Sequence, residues 1–218
     1  MIGKIMGSVA SKIKKMNSTS TTQPTSASAP PPAETDLAAV QTVASGCAIT
    51  VFPPYDPPDI NRKSVFLAGS IDMGTAIDWQ ADLTKALSDL EIKIYNPRRP
   101  NWDPTWKQDI DFAPFRQQVE WELGSLEHVD VIAMYLPETS KAPISLLELG
   151  LFASSGRLIV ACPKKFWRQG NVEIVCKRYN VPLVETVEKL EELVRERLEN
   201  PVPPAKPIDM KDLALAGK

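Results

Sequence analysis

The chain of 218 residues has one histidine, His128, and three widely spaced cysteines, Cys47, Cys162 and Cys176, with no CxxC pair. That poverty argues against a disulfide scaffold and a Cys/His zinc site, and it fits a reducing, cytoplasmic compartment. It also leaves little material for a Ser-His or Cys-His nucleophile pair, and there is no GxSxG elbow. Neither sign of charge dominates, with 25 Lys and Arg against 27 Asp and Glu and a formal net charge of −2. Lacking a concentrated basic face, the chain is expected to have no nucleic-acid partner. No apolar run approaches the roughly 18–20 residues that span a bilayer, so no transmembrane segment is expected. The stretch Gly69-Ser-Ile-Asp-Met-Gly74 is not GxGxxG, and no Lys-Ser/Thr follows Gly74, so both common phosphate-binding glycine signatures are missing. These absences point toward chemistry run by carboxylates.

Proline, by contrast, is abundant. The 20 prolines are about 9% of the chain against an average near 5%. Residues 17–36 are mostly Ser, Thr, Pro and Ala, a composition that cannot bury enough apolar surface to offset its ordering entropy. The expected organisation is a disordered extension over 1–60, a folded domain over 62–200 and a proline-rich tail over 201–218. At the start, Ile2, Ile5, Met6, Val9, Ile13 and Met16 fall at helical spacing, with Lys4, Lys12, Lys14 and Lys15 off that stripe. Two readings stand for this segment: a loose extension, or a basic amphipathic helix of the mitochondrial-presequence or membrane-surface kind.

Within the body, strand and helix patterns alternate. Apolar runs at 64–68, 92–95, 129–136, 158–161 and 181–184 read as buried strands. Helical patterns fill about 76–90, 112–128 (Phe115, Val119, Leu123 and Leu126 inward), 143–155, 170–179 and 186–199. Five apolar strands alternating with helices predict a doubly wound α/β fold, Rossmann- or flavodoxin-like: a five-stranded parallel sheet in a three-layer α/β/α sandwich. Ligands of such sheets bind beyond the carboxyl ends of the strands, which nominates the loops 69–75, 96–111, 137–143 and 162–170.

Two carboxylates are oddly placed. Glu148 lies in Ile144-Ser-Leu-Leu-Glu-Leu-Gly-Leu-Phe152, and its helical neighbours offer no cation. Burying a carboxylate there costs several kcal/mol unless it protonates, finds a distant partner or performs a reaction. Glu122 shares the inward stripe of its helix, either as an edge carboxylate paired with a basic residue or as a second working acid. Two carboxylates meeting in a crevice suit displacement at an anomeric carbon, one attacking the sugar while the other handles a proton. Gly69, Ser70 and Ile71 end the first strand, where a small residue lets the backbone approach a ligand. Asn96 opens the long loop. There Arg98 and Arg99 suit either a phosphate or solvent, and Trp102 and Trp106 suit either base stacking or pinning of the loop. Asn171 could reach a sugar hydroxyl or cap its helix. His128 reads as a capping or surface residue, and Cys162 as inert.

Several segments resemble the nucleoside 2-deoxyribosyltransferase family, in its branch of deoxyribosyltransferase-like proteins of fungi and bacteria. They are VFLAGSID at 65–72, NPRRPNWDPTW at 96–106, FRQQVEWELGSLEHVDVIA at 115–133, PISLLELGLFASSGRLIVACP at 143–163 and FWRQGNVEIVCKRYNVPLV at 166–184. The resemblance implies base exchange or hydrolysis of a nucleoside or nucleotide with a free base as partner. No metal or cofactor is implied, and a homo-oligomer is. It places the nucleophile, which forms a covalent glycosyl ester, on Glu148 of the Glu-Leu-Gly segment. The base-handling acid falls on Glu122, where the family has aspartate. Ala142 occupies the place of a second, sugar-contacting acid. Asn171 matches a sugar-contacting asparagine that often reaches a neighbouring subunit's site. A non-catalytic nucleotide-binding module is the reading outside the enzyme class.

Overall fold

The computed structural model describes residues 40–42, 47–56, 61–71, 77–99, 102–103, 105–201 and 203. All of them fall in the second of the chain's two units, Thr35–Lys218, the first being Met1–Glu34. The basic amphipathic start, the 17–36 segment and most of the 201–218 tail lie outside the described residues.

The near-continuous apolar runs build the centre of one sheet. Its strands are β1 (Val40–Thr42), β2 (Ile49–Val51), β3 (Lys63–Gly69), β4 (Ile92–Tyr95), β5 (Val131–Tyr135), β6 (Leu158–Ala161) and β7 (Leu183–Val184). They lie in the order β1-β2-β4-β3-β5-β6-β7. All pairings are parallel except that of β1 with β2. The expected five-stranded sheet is thereby corrected to six parallel strands with an antiparallel edge. The added strands come from a stretch assigned on sequence to the extension. Each has only three residues, too few to show a period.

The helices are α1 (Trp79–Ala86), α2 (Ala113–His128), α3 (Pro143–Phe152), α4 (Gln169–Tyr179) and α5 (Val187–Glu199). Alternation along the strands sends their side chains into two cores. Phe66, Ala68, Ile132, Met134, Leu158 and Val160 pack with Leu126, Leu149, Val172 and Cys176 of α2, α3 and α4. Val65, Leu67, Ile94, Val131, Ala133 and Ile159 pack with Trp79 and Leu83 of α1 and Leu190, Val194 and Leu198 of α5. The result is the three-layer α/β/α arrangement.

Local signals set the helix limits. The Asp78 side chain accepts from the Ala81 N–H at 3.0 Å, starting α1 later than the apolar spacing suggests. Pro143 opens α3, and Gly156, at φ 74°, follows the 3-10 turn Ala153–Ser155. Asn180, at φ 53°, ends α4 in the left-handed conformation that asparagine tolerates. Leu123, expected inward on α2, is 38% exposed, because the helix turns Gln118, Ser125 and Leu126 to the core.

Candidate functional site

Parallel pairing brings the carboxyl ends of the strands to one edge. The chain leaves β3 toward β4 on one side and returns to β5 on the other, so the topological switch lies between β3 and β5. At that point Gly69 pairs with Tyr135. Gly69 has φ +142°, and a Cβ there would stand 2.3 Å from the Tyr135 carbonyl oxygen and 2.8 Å from the Trp79 ring. Glycine is required both by the conformation and by the approach.

The next residue, Ser70, is buried and donates through its hydroxyl to Ser140 Oγ at 2.7 Å. Ser140 Oγ in turn accepts from the Ala142 N–H at 3.1 Å. Ala142 has φ 45°, a conformation uncommon for an alanine, and directly precedes α3. The hydroxyl pair thus ties the end of β3 to the start of the helix that carries Glu148. Trp79 adds a second tie: its indole N–H donates to the Ser70 carbonyl at 3.3 Å and its ring meets Tyr135 edge-on at 5.6 Å. Ile71 is half-buried beside them.

Glu148 sits on α3 with 8% of its surface exposed, and no described residue hydrogen-bonds or ion-pairs with its carboxylate. Burial pushes it up to about 8, with the charge of Glu122 adding to the effect. Glu122, half-buried on α2, is pushed up to about 7 by burial, against the pull of a hydrogen bond from Gln118. That bond runs from Gln118 Nε2 to Glu122 Oε1 at 2.8 Å, and the same nitrogen donates to the Pro97 carbonyl at 3.0 Å. The two glutamates therefore lie within electrostatic reach of each other, on helices that cover one face of the sheet. Glu148 holds its proton more firmly than Glu122, and the pair titrates as a unit. One carboxyl can then attack an electrophilic carbon while the other delivers a proton.

The remaining candidates spread over two places. Asn96 is buried at the end of β4, where Oδ1 accepts from the Arg98 N–H at 2.9 Å. Arg98 Nε lies 3.4 Å from the Asp78 carboxylate, and the Arg99 guanidinium lies 4.9 Å over the Trp106 ring. Trp102 packs on Trp106 at 5.0 Å, and its indole N–H is buried with no hydrogen-bond partner among the described residues. Asn171 falls elsewhere: exposed in the first turn of α4, it lines a groove of about 310 Å³ with Leu146 and Leu149 of α3 and Trp167. It does not cap α4, whose N-cap is Arg168. His128 ends α2, exposed, with Nδ1 2.7 Å from the Gly124 carbonyl. Burial pushes the Cys162 thiol up to about 11 and Cys176 to about 12, so neither supplies a thiolate.

Three contributors were not read from sequence. Ser140 had a faint signal, a serine shortly before the proline that opens α3. Gln118 stands four residues before Glu122, a spacing at which a Gln can reach an acid on a helix. Gln80 on α1 is fully buried, and neither end of its amide is bonded among the described residues. Nothing in the pattern of α1 marks it.

No curated protein sequence matches the chain. A solved structure described as a conserved protein from Enterococcus faecalis V583 aligns with a TM-score of 0.49 at 13% identity, over 62% of this chain and 99% of that one. The segment that carries both glutamates, the Gly69–Ser70 strand end and the long loop, residues 62–166, matches the family model described as nucleoside 2-deoxyribosyltransferase like.

Proposed function

We propose that this protein breaks and remakes the N-glycosidic bond of a (deoxy)nucleoside, exchanging its base through a covalent glycosyl ester on Glu148. The observation that carries the reading is a buried carboxylate with no described partner, within reach of a second raised carboxyl, in the segment matching the family model. The reactive form is the minor one of the pair, with the proton on Glu122 rather than on Glu148, and in that form ionised Glu148 attacks the anomeric carbon. The electron pair of the breaking C–N bond goes to the base nitrogen, which takes the proton of Glu122. An incoming base then attacks the same carbon from the vacated side, releases Glu148 and returns a proton to Glu122. The apolar surroundings make the naked carboxylate a better nucleophile than it would be in water.

Arg98, beside Asp78, and Arg99, over Trp106, leave both a nucleoside and a nucleotide open as the substrate. Gly69, Ser70 and Ile71 would line the sugar, with Asn96 and Trp102 toward the base. A homo-oligomer belongs to this reading. Ile144, Leu147 and Leu151 of α3 with Trp167 and Ile174 form an exposed apolar face beside Asn171, and a second copy seated there would bring that asparagine to a neighbouring subunit. Among the described residues no helix is long and apolar enough to cross a membrane. We place the protein in the cytoplasm.

The test mixes the full-length protein with a deoxynucleoside and a second free base, and follows both bases by chromatography. A new nucleoside supports exchange, and release of base alone moves the assignment to a hydrolase of the same fold. Absence of both at high protein concentration, across purine and pyrimidine deoxynucleosides, refutes the enzyme and leaves a binding module.

A further inference from the structure

Gln118 is 4% exposed, and its amide can be oriented in only one way. Its nitrogen faces two acceptors, the Pro97 carbonyl at 3.0 Å and Glu122 Oε1 at 2.8 Å. A flipped amide would set its oxygen against the Pro97 carbonyl oxygen, which has no proton to give. Both N–H groups are therefore committed, and Oε1 of Gln118 is left buried with no hydrogen-bond partner among the described residues. A buried acceptor left bare is unfavourable, so the arrangement is held by what the nitrogen gains. The consequence falls on Glu122. Its Oε1 is an acceptor in every state, so when the carboxyl is protonated the proton resides on Oε2.

We propose, resting on the activity set out above, that Gln118 is a positioning residue that makes Oε2 the one oxygen of Glu122 through which the proton of the base passes. The hydrogen bond is worth more once Glu122 carries charge. It therefore strengthens as the proton moves from Oε2 to the departing base nitrogen and the C–N electron pair follows the base. Gln118 in this way stabilises the transition state more than the bound substrate. Through Pro97 it also ties the acid to the loop holding Asn96 and Arg98. The charged groups around this arrangement are few. Glu148 faces Glu122 from α3, Arg98 is turned to Asp78, and Arg99 lies over Trp106.

Two readouts test this. The first needs no turnover: full-length protein carrying carboxyl-13C glutamate is titrated by NMR, with Glu122→Gln supplying the assignment. Gln118→Leu should move the Glu122 titration upward by about one to two pH units, the size expected for a hydrogen bond to a charged acceptor. An unmoved titration overturns the proposal. The second is the pH profile of kcat. Gln118→Leu should lower kcat roughly tenfold or more, as loss of one aligned donor does, with little change in KM, and carry the alkaline limb upward, by less than the Glu122 titration moves because Glu148 shares the proton. A drop in kcat with the limb in place is the mark of a merely structural role and also overturns it. Gln118→Met, closer in length, replaces the leucine variant if that protein fails to fold. A wild-type protein inactive on every nucleoside refutes the proposed function and the proton role with it, whereas an active wild type with an unshifted Gln118 variant refutes the positioning role alone.

Discussion

Replacing Glu148 by glutamine should make the protein more stable at alkaline pH while removing its chemistry. The side chain is raised from an ordinary 4.5 to about 8 in the folded protein, chiefly by burial. In the unfolded chain the group has lost its proton above about pH 5, whereas the folded protein keeps it until about pH 8. Between those limits the native state binds more protons, so stability is full below pH 4.5 and declines as pH rises through the folded value. The full interval corresponds to roughly 4–5 kcal/mol, and relaxation around the charge brings a realistic value to about 2–4 kcal/mol. Glutamine has nearly the same volume and no charge to desolvate. Its advantage over the wild type should therefore grow by about 2–4 kcal/mol between pH 5 and pH 9. That amounts to some 5–15 °C in Tm. Any fixed cost of burying the amide cancels in this difference, and Glu122 titrates in both proteins. Urea unfolding of both across that range supplies the measurement. A difference that stays flat within about 0.5 kcal/mol would show that Glu148 ionises freely in spite of its burial.

Two further outcomes follow from the geometry. Gly69→Ala places a methyl 2.3 Å from the Tyr135 carbonyl at φ +142°, so the ends of β3 and β5 must part. We expect a loss of about 3 kcal/mol or more in urea unfolding together with loss of turnover, and a loss under 1 kcal/mol would refute the close approach. Leu147→Glu, on the exposed face of α3, should convert the proposed oligomer to a monomer by light scattering without lowering Tm appreciably. A wild-type protein that is already monomeric at working concentration would remove the role given to a neighbouring Asn171.

Most of the fold was legible because β3, β5 and β6 are covered on both faces, and such strands must be apolar throughout. The edge strands β1 and β2 were not, since their three residues owe their conformation to the neighbour they pair with. On α2 the apolar spacing put Leu123 inward, yet the buried positions there include Gln118 and Ser125. A polar residue buried for the sake of a neighbouring carboxyl breaks the pattern that would have revealed it. Glu148 stood out for the opposite reason, as a charge inside an apolar helix. Its relation to Glu122 and the hold of Gln118 on Pro97 are tertiary contacts, and no local spacing encodes them. Asn171 was readable as a helix-start residue, but the spacing gave no hint that it faces the α3–α4 groove.

In the reaction proposed above, Glu148 bonds covalently to the sugar. Incubation of the full-length protein with a 2-fluoro-2-deoxynucleoside, followed by intact mass measurement and peptide mapping, tests it most directly. We expect one fluorinated pentose per chain, on the peptide containing Glu148 and absent from the Glu148→Gln variant. An adduct on another residue, or sustained base exchange by the Glu148→Gln protein, contradicts it.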